Sequence, residues 1–266
     1  MMTFDRAVEG VLKRDRLVVV GGLIVVTGLA WIYLIVITLQ IDMDGVMAGS
    51  TDSMSDMMKL ERWTSFDALL MFIMWAVMMV GMMVPSATPM ILLYALILRK
   101  QTKGDEALVP TSTFFAGYLT VWTSFSVGAT ALQWVLEQLA LLSPMMVSTS
   151  PLLGGLVLIL AAIYQWTPYK DACLKYCRSP VWFLSTHWRD GTWGAYLMGL
   201  EHGMYCLGCC WVLMAILFVG GVMNLLCVAA ITIFVLVEKV APFGRGISRA
   251  ATVILLLSGG AMIIGV

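Results

Sequence analysis

The chain has 266 residues, 61% hydrophobic and 12% charged, and its sixteen basic and sixteen acidic side chains cancel to a formal net charge of zero. That hydropathy excludes a soluble domain and places the chain in the membrane class, and the charge balance leaves no basic surface for nucleic acid. Six cysteines do not form the disulfide framework of a small secreted protein, because Cys206, Cys209, Cys210 and Cys227 lie inside apolar runs.

Residues 1–16 carry Arg6, Lys13, Arg14 and Arg16 and read as a short cytoplasmic segment. Apolar runs of about twenty residues mark membrane helices, and seven are expected, at 17–39, 66–98, 113–141, 152–167, 193–218, 222–240 and 247–266. The first is too long for a signal-peptide core and has no small-x-small cleavage site after it, so it reads as a signal anchor. The connection at 40–65 interleaves Asp42, Asp44, Asp52 and Asp56 with Met43, Met47, Met54, Met57 and Met58. Methionines in a solvated segment have no core to fill, and thioethers suit Cu(I).

Pro85 and Pro89 should bend the second run. On that helix Met71, Met74, Met78 and Met82 share an arc of about 80°, with Met79 and Met83 on its flank. They serve either as packing filler or, at Met78 and Met82, as thioether ligands. The hydrophilic loop after the fourth run holds Lys170, Lys175, Arg178 and Arg189 around Cys173 and Cys177. The two thiols are one helical turn apart, and flanking cations favour thiolate. His187 reads as an interfacial side chain. Gly220-Gly221 alone separates the fifth and sixth runs and implies a tight hairpin, and Asn224 reads as a polar packing contact.

Lys and Arg fall in the even-numbered connections, apart from Lys59 and Arg62, which places the N-terminus inside and the C-terminus outside. The expected fold is therefore an all-α membrane protein: a polytopic bundle of about seven transmembrane helices with a cytoplasmic N-terminus. Residues 17–266 form one domain with an outside loop at 40–65.

The fifth run contains Glu201-His202-Gly203-Met204-Tyr205-Cys206-Leu207-Gly208-Cys209-Cys210-Trp211. Ionisable groups are costly at membrane depth and mark function, and Cys with His are the ligands that soft or borderline metals prefer. At about 100° per residue, His202, Cys206 and Cys209 share one face, with Cys210 beside them and Met198 a turn earlier. Glu201 points roughly 100° away and should pair with another helix or a cytoplasmic cation. His202 to Cys206 and Cys206 to Cys210 are each one turn, roughly 6 Å. One helix cannot close a four-ligand shell from these groups, so other helices contribute or there are two sites. The plain alternative is Cys as a small packing residue and His202 bonded to a neighbour, but three thiols and an imidazole on one stripe tell against it.

Three blocks carry a family resemblance: WAVMMVGMMVPSATP at Trp75–Pro89, YQWTPYKDACLKYCRSP at Tyr164–Pro180, and MGLEHGMYCLGCCWVLMAILFVGGVMN at Met198–Asn224. The chain resembles the bacterial integral membrane proteins grouped as domain of unknown function 2182 (DUF2182) and described as predicted metal-binding. The resemblance implies one multi-pass domain of the bacterial inner membrane. His202, Cys206, Cys209 and Cys210 would be its motif ligands, Cys173 and Cys177 a second cluster, and a small soluble protein a possible partner.

The expected function is membrane-embedded binding and handling of a soft transition metal, Cu(I) ahead of zinc, as transfer across the membrane or delivery to a partner. Zinc stays open because His with several thiolates also makes a tetrahedral Zn²⁺ site. The rival class is a membrane redox enzyme. A periplasmic thiol oxidoreductase needs outside cysteines, which no outside loop provides, and a copper oxidase needs open coordination and a substrate pocket. The third class is a structural subunit of a larger membrane complex.

Overall fold

The computed structural model describes residues 2–47, 63–101, 108–142, 147–241 and 244–265. In chain order the helices are α1 (Met2–Met47), α2 (Ser65–Gln101), α3 (Leu108–Gln138), α4 (Pro151–Gln165), α5 (Pro168–Arg178), α6 (Pro180–His187), α7 (Gly191–Ala215), α8 (Leu217–Gly220), α9 (Leu225–Val240) and α10 (Gly244–Ile264). Among the described residues the only extended pairing is an isolated bridge between Leu142 and Ser148, so the all-α expectation holds. Most of the 40–65 connection, with its Met and Asp side chains, lies outside the described residues.

Each of the seven apolar runs lies on a helix, but fewer helices meet both spanning criteria, length and apolarity. Four do, over Val18–Gln40, Ser65–Lys100, Gly191–Gly220 and Gly246–Ile264; α4 and α5, bent by 65°, make a fifth if they count as one broken span. α9 has 16 residues, about 24 Å of helix against a bilayer core of about 30 Å. α3 is long enough, at 31 residues, but hydroxyls interrupt its apolar character. Thr113, Thr120, Ser124, Ser126 and Thr130 each donate to the carbonyl four residues back, at 2.8–2.9 Å, which satisfies them within the helix. The outward faces of α1, α4 and α10 are apolar, with Ile24, Leu29, Leu160, Ile254 and Leu257 all exposed, as a lipid-facing surface requires.

The segment read as a hydrophilic loop around Cys173 and Cys177 is helical instead. Thr167 caps α5 by accepting from the Lys170 amide, Pro168 occupies the first turn with Asp171, and Lys175 and Arg178 sit in the last turn. All five suit the helix ends at which they stand. Asn224 is likewise a cap rather than a packing contact: its Oδ1 accepts from the Leu226 and Cys227 amides at 3.0 and 3.2 Å. The turn before it rests on Gly221 at φ +94°, a conformation open to glycine.

Two local devices set the bundle. Pro85 has no N–H, so the carbonyl of Gly81 loses its helical donor. Trp31 of α1 supplies a replacement, its indole N–H donating to Gly81 at 3.2 Å. An orphaned carbonyl in an apolar interior costs about 1–3 kcal/mol, so Pro85 within α2 and the docking of α1 support each other. The second device is the contact of α3 with α7. A Cβ at Gly199 would run into the Phe114 backbone, one at Gly117 into the backbone of Tyr196 and Leu200, and one at Gly203 would lie 2.8 Å from the Val121 side chain. Small residues four apart let the two backbones touch.

Gly199→Leu should therefore lower the thermal unfolding midpoint of the detergent-solubilised protein by an overpacking cost of about 1–3 kcal/mol or more. Gly128→Leu, on the same helix pair but facing open space, should leave it near wild type. Equal midpoints for the two variants would refute the α3–α7 contact.

Candidate metal centre

α7 buries Cys206, Cys209 and Cys210, each only 1% exposed. The bend between α4 and α5 turns α5 against α7, and Gly208 makes room for it: a Cβ there would lie 2.8 Å from the sulfur of Cys173. One turn further along α5, Cys177 brings its sulfur to 4.0 Å from that of Cys209. Cys206 lies one turn before Cys210 on the same helix. Cys177 of α5 thus lies beside the α7 thiols in space.

Three more helices close around Cys206. Tyr118 of α3 places its hydroxyl 3.2 Å from the Cys206 sulfur and 3.2 Å from the Met83 carbonyl of α2. Lys239 of α9 donates from Nζ to the Cys206 sulfur at 2.9 Å and to Ser86 Oγ at 3.1 Å. The Met83 thioether lies 3.9 Å from the Cys210 sulfur. Met83 and Ser86 lie on either side of Pro85 in α2.

A buried ammonium needs an anionic partner, and a Cys206 thiolate is the group placed to supply it. The neighbouring Glu238 faces elsewhere, forming an ion pair with Lys170 of α5 and accepting from Ser248 of α10. Lys170 also donates to Ser248 at 3.2 Å. Lys170 and Lys239, counted among the cytoplasmic loop charges in the sequence, are 1% and 6% exposed. Their burial removes them from the orientation argument and leaves it to exposed or half-buried cations such as Lys100, Lys175, Arg189 and Arg249.

The remaining sequence candidates are placed as follows. His202 is 3% exposed among the rings of Phe183, Tyr118 and Phe114 at 5.4, 5.7 and 6.3 Å, and its Nδ1 has no hydrogen-bond partner. It approaches the thiols through Tyr118. Met78 and Met82 are fully buried in the core, while the thioether that meets a thiol belongs to Met83 on the flank of their arc. Glu201 pairs with Arg189 at 2.5 Å, the cationic partner expected of it. His187 bonds Thr186 at 2.7 Å and stacks on Phe183.

Sequence reasoning did not single out Tyr118, Ser86 or Lys239. For Lys239 a signal existed: Glu238-Lys239 is a charged pair at the end of an otherwise apolar sixteen-residue helix, and such residues are rare without a buried role.

Among the described residues, no group of three or more His, Cys, Asp and Glu side chains is arranged to hold a metal ion as it stands. Cys209 and Cys210 turn their thiols back to the Cys206 carbonyl, at 3.1 and 3.0 Å, and rotation about their Cα–Cβ bonds would free them. The donor chemistry of four thiols and a thioether, shielded from water, fits a soft ion that accepts few ligands.

The family model of PpoB2, described as a copper chaperone, matches residues 72–262. That span contains the three sequence blocks at 75–89, 164–180 and 198–224. No curated protein and no solved structure matches the chain.

A variant keeping only Cys177 and Cys209, with the other cysteines changed to Ser, should form an intramolecular disulfide on mild diamide oxidation, because 4.0 Å needs only a small side-chain adjustment. Peptide mapping should recover the Cys177–Cys209 link. Its absence would separate α5 from α7 and split the cluster.

Proposed function

The chain belongs to the PpoB2 copper-chaperone family, and from that premise we propose that it holds Cu(I) on thiols inside its helical bundle and delivers the ion to a partner protein. The observation carrying this reading is the meeting of Cys177 of α5 with Cys209 of the α7 thiol group, whose Cys210 lies beside Met83. Thiolates grip Cu(I) tightly, and thioethers hold it more loosely without proton exchange. The buried Met74, Met78, Met79, Met82 and Met83 of α2 form a thioether row that ends at Cys210, a graded route toward the thiols. In this reading the Met/Asp segment at 40–65 captures the ion outside, Met78 and Met82 pass it inward, and Cys173 is the next thiol beyond Cys177. His202 either completes the ligand set after a rotation or backs Tyr118.

The setting proposed for this route is the bacterial inner membrane, crossed by about seven helices with the N-terminus in the cytoplasm. A small soluble protein is the proposed recipient. Burial of the α7 thiols favours cargo holding over thiol–disulfide exchange, which needs an accessible thiolate. Zinc is the competing cargo, and a resident zinc site would call for a closed tetrahedral shell.

The detergent-purified protein, loaded with Cu(I) against a chromophoric chelator, should retain a stoichiometric amount of copper. Cys206→Ser and Cys177→Ser should lose most of it with helicity intact. His202→Ala should lose part if His202 is a ligand. Equal copper in wild type and a Cys206→Ser/Cys209→Ser double variant would end the proposal.

A further inference from the structure

Lys239 is the group closest to the Cys206 sulfur, and no metal-binding rule calls for a cation there. Its surroundings leave it little other purpose. It is 6% exposed, its contacts are the Cys206 sulfur at 2.9 Å and Ser86 Oγ at 3.1 Å, and the nearest carboxylate in sequence, Glu238, is engaged by Lys170 and Ser248. The positive charge of Lys239 is therefore directed at the thiols alone.

We infer that Lys239 is a fixed counter-charge that makes the thiol site selective for a monovalent over a divalent metal ion. The inference rests on the proposal that these thiols hold Cu(I). The charge balance carries it. A Cys206 thiolate beside the Lys239 ammonium is neutral. When Cu(I) enters and a second thiol gives up its proton to become the other ligand, one positive charge arrives and one leaves. Two thiolates, one cuprous ion and one ammonium again sum to zero. A zinc ion on the same two thiolates leaves one positive charge in an apolar interior, where an uncompensated charge is strongly disfavoured. Neutrality for zinc would take a third thiolate, which means one more proton shed in an apolar interior and one more thiol turned away from the Cys206 carbonyl on which Cys209 and Cys210 rest. Cu(I), content with two soft ligands, has no such demand. Discrimination of this kind works by penalising the wrong ion rather than by improving the fit of the right one.

The test compares wild type, Lys239→Met, Lys239→Gln, Lys239→Arg and Ser86→Ala in detergent. Each is titrated with Cu(I) against one chelator and with Zn²⁺ against another. Lys239→Met should cut the preference for Cu(I) over Zn²⁺ by about tenfold or more, the scale of one charge interaction at a few ångströms in a partly polarisable interior. Lys239→Gln, which keeps a donor for Ser86, should move the ratio the same way. Lys239→Arg should preserve most of the preference, and Ser86→Ala, which keeps the charge, should preserve it too. A purely structural role would lower stability in these variants and leave the ratio alone. If Cys206→Ser loses copper while Lys239→Met and Lys239→Gln keep the wild-type ratio, the thiol site stands and this inference falls. If Cys206→Ser binds Cu(I) as well as wild type, both fall.

Discussion

The backbone contact between α3 and α7 is the constraint on which the centre depends. Gly117 lies next to Tyr118, and Gly199 and Gly203 bracket His202 one turn before Cys206. The helices touch where the site begins, and the 3.2 Å approach of Tyr118 to the Cys206 sulfur follows from that touch. A side chain of ordinary width at any of these glycines would push the helices apart by more than a hydrogen bond tolerates. The α4–α10 pair uses the same device, with Gly155 and Gly259 backbone to backbone.

Around this axis polar ties add to the apolar packing of the other helices. α1 is fastened to α2 by an indole N–H on the carbonyl that Pro85 releases. α9 reaches in two directions from adjacent residues, Glu238 to Lys170 of α5 and Lys239 to Cys206 of α7. Successive residues on a helix point about 100° apart, so the two opposite charges cannot satisfy each other and each must find a partner on a different helix. Breaking either buried pair by removing one member leaves a stranded charge, a loss of about 3–5 kcal/mol. The ion pairs therefore fix the seating of α5 and α9 on α7, and with it the position of Cys177 against Cys209.

The apolar runs and the stripe of His202, Cys206 and Cys209 were legible in the sequence because each is a property of one helix. What was not legible depends on which helices meet. Hydropathy located α9 but could not give its length, since Val222 and Asn224 belong to a turn and a cap. The thioether facing Cys210 is that of Met83 rather than Met78 or Met82, because the packing of α2 in the bundle, with Tyr118 donating to the Met83 carbonyl, decides which methionine meets the thiols. Lys170 and Lys239 stand where loop charges stand in a sequence, at the ends of apolar runs. Only the folding of α5 back against the bundle puts them inside. The same fold merges Cys177 with the α7 thiols, which chain separation had suggested was a distinct cluster.

The thiol–carbonyl bonds of Cys209 and Cys210 have a kinetic consequence. Both sulfurs rest on one acceptor, the Cys206 carbonyl, so in the proposed Cu(I) site a thiol that let go of the ion would have a resting place a single side-chain rotation away. Each such bond offsets part of what a metal–sulfur bond gains, by no more than the roughly 0.5–1.5 kcal/mol of a typical hydrogen bond, and sulfur donors fall at the low end. The offset is too small to weaken capture. It does divide departure into separate steps, in which one arm lets go and is parked before the next. Detachment arm by arm suits exchange with an incoming ligand better than a rigid cage does, and makes the site a labile holder rather than a vault.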